Sequence, residues 1–176
     1  QLVTVGDPTR TGSLSEGAPR ADLASYPLYA DLRDQNHSFS GLYASGRAGR
    51  LDVIVDRDSS GGTRSAAEAE HPRGRFVSGN YFSVLGLHPV VGRTFAADED
   101  KVPGDDPVVV ISYDYWQRRF GGDRSAVGRT ISVNGTPVTV VGVAPPAFTG
   151  DIVGQPIEIW LPLMMQPSMM PHTTWL

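Results

Sequence analysis

Four consecutive apolar residues, Val108 to Ile111, deliver Ser112 to the head of the segment "YDYWQRRFGGD". A serine at the end of a buried strand and the start of a helix is where a nucleophile or a phosphate cradle can sit. The nucleophile elbow needs G-x-S-x-G so that its strained turn can close, and here Val110 and Asp114 occupy the glycine positions. The elbow is therefore sterically disallowed, and Ser112 is expected to cap a helix starting at Tyr113, with Asp114 favourable in the first turn. Tyr113, Trp116 and Phe120 fall at i, i+3 and i+7, the spacing of a core-facing stripe. Arg118 and Arg119 suit the negative end of that helix, and Gly121-Gly122 ends it.

Other chemistries find no complete residue set. His37, His71, His88 and His172 are scattered without the i, i+4 spacing of a helical metal site and are expected at the surface. Asp56, Asp58, Ser60 and Gly61 begin like a calcium loop, but Ala67 stands at the twelfth position, where a bidentate Glu is required. Asp98-Glu99-Asp100 and Asp105-Asp106 miss that pattern too and read as a solvated loop. Neither glycine-rich phosphate motif is present. The expectation is no catalytic residue, no metal site, no cofactor and no enzymatic activity.

The elements that would position these residues form an irregular mixture. Leu2–Val5 alternates like a short strand, and Gly6–Ala24 reads as a long loop rich in Gly, Ser, Thr and Pro. "SYPLYADLRDQNHSFSGL" predicts a short amphipathic helix packed on a sheet, with Pro27 in its first turn and Leu28 and Leu32 on its inner face. Phe39, Leu42 and Tyr43 follow as core anchors. "LDVIVDRD" reads as a strand closed by "SSGG", and "TRSAAEAEHPRGRF" as another strand, although its alanines favour helix. One helical turn is expected after Gly79-Asn80, burying Tyr81, Phe82 and Leu85 and ending at Gly86. In "TISVNGTPVTVVGV", Asn134-Gly135 between β-branched runs predicts a two-residue type I′ hairpin within 129–143, with Pro137 at a non-donating position. "PIEIWLPL" adds a last strand. Without regular βαβ spacing, the fold class is α+β, with short helices on mixed or antiparallel sheets.

The chain has 176 residues, a formal net charge of -4 and no cysteine, which gives a globular domain without disulfides or thiol chemistry. Its acidic balance argues against a nucleic-acid partner. Lys101 is the only lysine, and the even spread of arginine reads as genomic composition bias. The apolar runs are far shorter than the roughly 20 residues that span a bilayer. A start at Gln1 without Met or signal-peptide pattern, and a stop at Leu176, suggest a domain excised from a longer protein.

Five segments in order, "SYPLYADLRDQNHSFSGL", "VSGNYFSVLGLHPVVGRTF", "VVVISYDYWQRRFGGD", "AVGRTISVNGTPVTVVGVAPPAF" and "IWLPL", resemble the MacB-like periplasmic core domain of FtsX-type ABC transporter permeases, particularly the large acidobacterial type. The resemblance covers most of Ser25 to Leu163. It implies an extracytoplasmic domain at the bacterial inner membrane, anchored by transmembrane helices, with a porter-like lobe over 1–75, a sabre-like lobe over 76–165 and the start of a truncated return segment over 166–176. The implied role is non-catalytic: to transmit ATP-driven conformational change. The implied partners are the permease's own transmembrane helices, a cytoplasmic ABC ATPase acting indirectly, and a periplasmic adaptor or cargo protein. Two other readings stay open on the residues. One is a secreted carbohydrate-binding or hydrolase-associated module using Tyr43, Trp116 or Trp160 as an aromatic platform. The other is a periplasmic sensor of a small ligand, for which a pocket with convergent polar groups would be the sign.

Overall fold

A computed structural model describes residues 2–3, 5, 14–15, 18–19, 25–55, 69–96 and 98–170. The chain divides into two compact units, Gln1–Leu42 with Trp175–Leu176, and Tyr43–Thr174.

In the first unit, β1 (Leu14–Ser15) and β2 (Ala18–Pro19) pair antiparallel inside the stretch expected to be loop. Leu2, Val3 and Val5 are exposed and lie outside any strand, because alternation without a pairing partner does not make one. Helix α1 (Tyr26–Asp34) forms as expected. Ser25 caps it by accepting the Leu28 N–H, and Pro27 sits in the first turn. Its inner face differs from the expectation, since Tyr29 is 7% exposed while Leu28 and Leu32 are 49% and 41% exposed. Aromatic contacts set that orientation: Tyr29 packs edge-on to Tyr26 and under the Arg33 guanidinium. Phe39, expected in the core, is also exposed. Its N–H and that of Ser38 are held by the Asn36 carboxamide in a surface turn.

The second unit is built on one mixed sheet, which bears out the α+β reading. Its strands are β3 (Ser45–Arg50), β4 (Val53–Ile54), β5 (Arg73–Val77), β6 (Val91–Gly92), β7 (Val108–Ile111), β8 (Thr130–Val133), β9 (Thr136–Val143) and β10 (Ile159–Pro162). The order is β3-β5-β10-β7-β9-β8-β4, with β6 added to β9. β10–β5 and β7–β9 are parallel and the other pairs antiparallel. β3 and β4, at opposite ends of this order, are separated in sequence only by Leu51 and Asp52. Leu51 donates to Pro72 O at 3.0 Å, Val53 and Glu70 exchange two backbone hydrogen bonds, and β4 also pairs with β8. The sheet thus curls back on itself.

β3 was not legible as a strand, because "SGRAGR" lacks β-branched residues; cross-strand pairing imposes it, with a bulge at Gly49, φ 70°. Of the strand expected over Leu51–Asp58, β4 forms among the described residues, and Asp56–Asp58 lie outside them. Of "TRSAAEAEHPRGRF", the end becomes β5. The "SSGG" turn lies outside the described residues. The hairpin forms as expected, with φ of 48° at Asn134 and 80° at Gly135. Helix α2 (Tyr81–Val84) is the expected turn, with Tyr81 and Phe82 buried and Leu85 partly so.

Side-chain alternation feeds two cores. Val109, Ile111, Ile159 and Leu161 join one with Leu51, Phe76, Val138 and Val140, closed by Met165 and Met169 of the segment ending in α4 (Gln166–Met169). Val110 and Trp160 face the other, with Tyr81, Phe82 and Phe95. Trp160 stacks on Phe148 with centroids 5.4 Å apart. At Gly142, beside the register shift of β7 on β9, a Cβ would stand 2.0 Å from Arg93 O of the chain leaving β6. Gly142→Ala must push two backbones apart, and a loss of about 1–3 kcal/mol, the usual cost of overpacking, is expected in urea unfolding.

Candidate functional site

Helix α3 (Tyr113–Phe120) follows β7 directly, and Ser112 occupies the junction. Its Oγ accepts the Tyr115 N–H at 3.1 Å and its own N–H donates to Glu158 O at 2.8 Å. Asp114 lies in the first turn, Arg118 and Arg119 in the last, and Gly121 closes the helix at φ 62°. The cap reading is borne out. The core stripe needs one correction: Tyr115, which the expected spacing omitted, is fully buried beside Trp116, while Tyr113 and Phe120 only pack against the core edge. The helix meets the sheet broadside, so adjacent residues 115 and 116 both turn inward.

A cleft of about 350 Å³ opens at the head of α3. Its lining joins Ser112, Tyr113 and Asp114 with the apolar Phe148 and Pro156 and with Arg50, Arg73 and Arg118. Glu158 divides its carboxylate there: Oε1 pairs with Arg118 at 2.7 Å, and Oε2 accepts the backbone N–H of Arg73 at 3.2 Å. No histidine lines the cleft, so Ser112 has no imidazole to take its proton. The sequence did not single out Arg50, Arg73, Phe148 or Glu158. They lie far apart in the chain, and only strand pairing brings them together.

The loop that supplies Phe148 is anchored by a buried polar cluster. Asp151 pairs with Arg75 at 3.2 Å, Ser45 Oγ donates to Asp151 at 3.1 Å, and Arg75 donates to Ser45 Oγ at 2.9 Å. Burial pushes the nearby Tyr81 hydroxyl above the usual tyrosine range, with Asp151 and Tyr43 adding to it.

The acidic stretch corrects another expectation, because Glu99 and Asp100 are buried rather than solvated. The Asp100 carboxylate accepts the N–H groups of Gly79 and Met164 at 3.2 Å each, tying three distant segments together. Glu99 pairs with Arg93 and accepts the Ala96 N–H at 2.8 Å. Burial alone would raise the Glu99 carboxyl, but these hydrogen bonds outweigh it and hold it below the usual range.

Asp56–Ala67, where the calcium-like spacing falls, and His172 lie outside the described residues. His37, His71 and His88 are exposed, as expected, and among the described residues no three His, Asp or Glu side chains cluster as metal ligands. Trp160 and Trp116 are 0% and 6% exposed, so neither offers a sugar-stacking platform. No helix among the described residues is long and apolar enough to cross a membrane.

Comparison with known proteins places this arrangement. The profile of the MacB-like periplasmic core domain matches residues 3–175. The macrolide export ATP-binding/permease protein MacB of Escherichia coli K12 is 29% identical over 100 residues, covering 57% of this chain and 15% of that protein. Its counterpart in Salmonella paratyphi A is 30% identical over 102 residues, with the same coverage. The chain therefore spans about a seventh of these relatives' length. In fold, the periplasmic region of MacB from Actinobacillus actinomycetemcomitans is similar with a TM-score of 0.59 at 17% identity, covering 92% of this chain and 66% of that one. The extracellular domain of the noncanonic ABC-type transporter YknZ from Gram-positive bacteria also gives 0.59, at 19% identity, covering 82% and 65%.

Two outcomes follow from the side-chain geometry. Ser112→Ala removes the cap and should cost about 1 kcal/mol in denaturant unfolding, with no change in fold by circular dichroism. Because the Glu99 carboxyl is held below its ordinary value, its stabilising contribution is present above that value and is lost as pH falls through the depressed one. Urea midpoints measured from pH 7 down to pH 3 should fall at the acid end, and Glu99→Gln should flatten that fall.

Proposed function

The chain belongs to the family of MacB-like periplasmic core domains, and from that premise we propose that it transmits ATP-driven conformational change without catalysing a reaction itself. The observation that carries this reading is the family match over residues 3–175. The coarse assignment is that of a periplasmic domain of a MacB-like ABC transporter permease. The finer reading concerns what such a domain does there. ATP hydrolysed on the cytoplasmic side drives the permease's transmembrane helices, these move the domain, and the domain contacts an adaptor or cargo protein. Its location in this reading is the periplasmic side of the inner membrane, held by transmembrane helices of the same permease. A porter-like lobe containing α1 and a sabre-like lobe containing the hairpin belong to the same reading.

Physical support comes from how the second unit is built. A domain that transmits displacement must resist deformation, and a curled sheet with both faces packed has few soft modes. The buried Arg75–Asp151 pair and the Asp100 contacts tie its long loops to the sheet, so the surfaces those loops present would move with it.

The test is a distance measurement on the whole permease with its ATPase in lipid nanodiscs. Spin labels at exposed positions of this domain and at the membrane surface should shift their distance distribution when ATP is added. The shift should vanish when the ATPase's catalytic carboxylate is neutralised. Distances indifferent to ATP would overturn the proposal.

A further inference from the structure

At the cleft beside α3, two arginines stand directly opposite one another across the β3–β5 ladder: Arg50 and Arg73 are register partners. Like charges placed opposite on paired strands repel. The charges around them do not resolve the conflict. The Arg50 guanidinium donates to the His71 carbonyl at 2.9 Å, a neutral acceptor. The Glu158 carboxylate is engaged by Arg118 and by the backbone N–H of Arg73, not by its guanidinium. Asp114 lies exposed in the first turn of α3. Three guanidiniums against two carboxylates leave about one unit of positive charge in the cleft, and the Arg73 side chain makes no ion pair or hydrogen bond among the described residues.

The remaining lining mixes Ser112 and Thr149 with an apolar part that includes Tyr113 and Phe148. The volume of about 350 Å³ lies at the low end of small-molecule sites. We propose that this cleft binds a small apolar monocarboxylic acid, its carboxylate on the Arg73 guanidinium and its body against Tyr113 and Phe148. A single surplus positive charge matches a monoacid, and Asp114 and Glu158 disfavour a second carboxylate. The guanidinium fork suits a planar carboxylate, which would also relieve the Arg50–Arg73 repulsion. Such binding would make the domain responsive to a periplasmic acid as well as to the membrane machinery, and it does not depend on the force-transmission reading.

The experiment titrates the 176-residue chain with 3-phenylpropanoate, followed by calorimetry and by NMR shifts. Saturable binding is expected, weakening as salt is raised. The neutral isostere 3-phenylpropanamide should bind at least tenfold more weakly, as should the acid to Arg73→Gln, while Arg73→Lys should lose less. Arg73→Gln removes a like-charge pair and should melt no lower than the parent; should it fail to fold, Arg50→Gln, on the exposed strand, repeats the test with a weakening of severalfold. The proposal is overturned by no binding up to about 10 mM acid, which corresponds to a negligible affinity. Equal binding of the amide, or an unchanged affinity in the folded arginine variants, overturns it too. So does binding confined to a peptide with a C-terminal phenylalanine carboxylate.

Discussion

The second unit depends on β10, a four-residue strand with no exposed position, placed in the middle of its sheet although it is the last strand among the described residues. On one side it runs parallel to β5 and on the other antiparallel to β7. Before it docks, the β3–β5 ladder and the β7–β9–β8 ladder have no direct strand pairing on that side. Once docked, it pairs along Gly74–Val77 of β5 and with Val110 and Ile111 of β7, and its alternating side chains enter both cores. Ile159 and Leu161 go to one face and Trp160 to the other. A strand buried on both faces reads as a continuous apolar run, which is why "IEIWLPL" was recognisable while its central place was not.

What β10 joins, buried polar groups hold in register. An ion pair in a protein interior gains little net stability over a well-packed apolar pair, but separating its members is costly. The Arg75–Asp151 pair therefore acts as a constraint on geometry. Asp151 sits in the long connection between β9 and β10, and fixing it to β5 and to Ser45 at the start of β3 leaves Phe148 against Trp160. The same connection supplies apolar lining of the cleft, so the cleft's shape follows in part from a contact made two residues along β5 from Arg73, on the same face of the sheet. Asp100 plays a similar part between Gly79 and Met164.

These contacts show where sequence reasoning succeeds and where it stops. Features decided within a few residues were legible. Ser112 and Ser25 as caps, the Asn134-Gly135 turn and the Gly121 helix end all follow from local backbone chemistry. Features decided by partners distant in sequence were not. "SGRAGR" becomes a strand because β5 lies beside it, Tyr115 is buried because the sheet lies under it, and Asp100 leaves water because N–H donors from Gly79 and Met164 await it. The inner face of α1 was misjudged for a related reason: leucine spacing marks an amphipathic face only when the opposing surface is apolar enough to take it, and here Tyr29 turned inward instead. The cleft was illegible altogether, since Arg50, Arg73 and Glu158 have no sequence spacing that links them.

The arrangement also combines two physical features. A dense interior with loops tied down makes a stiff body, and the two cores and the buried carboxylates supply that. Recognition needs polar groups left without internal partners, at a place where the surrounding surface can desolvate a ligand. The register of β3 on β5 provides this at one point: it sets Arg50 against Arg73 at the mouth of the cleft, where neither has a carboxylate of its own. Elsewhere among the described residues, Arg75 pairs with Asp151 and Arg119 with Glu70. Arg73 differs from them in its environment rather than in its chemistry, and that difference arises from the same strand pairing that makes the sheet stiff.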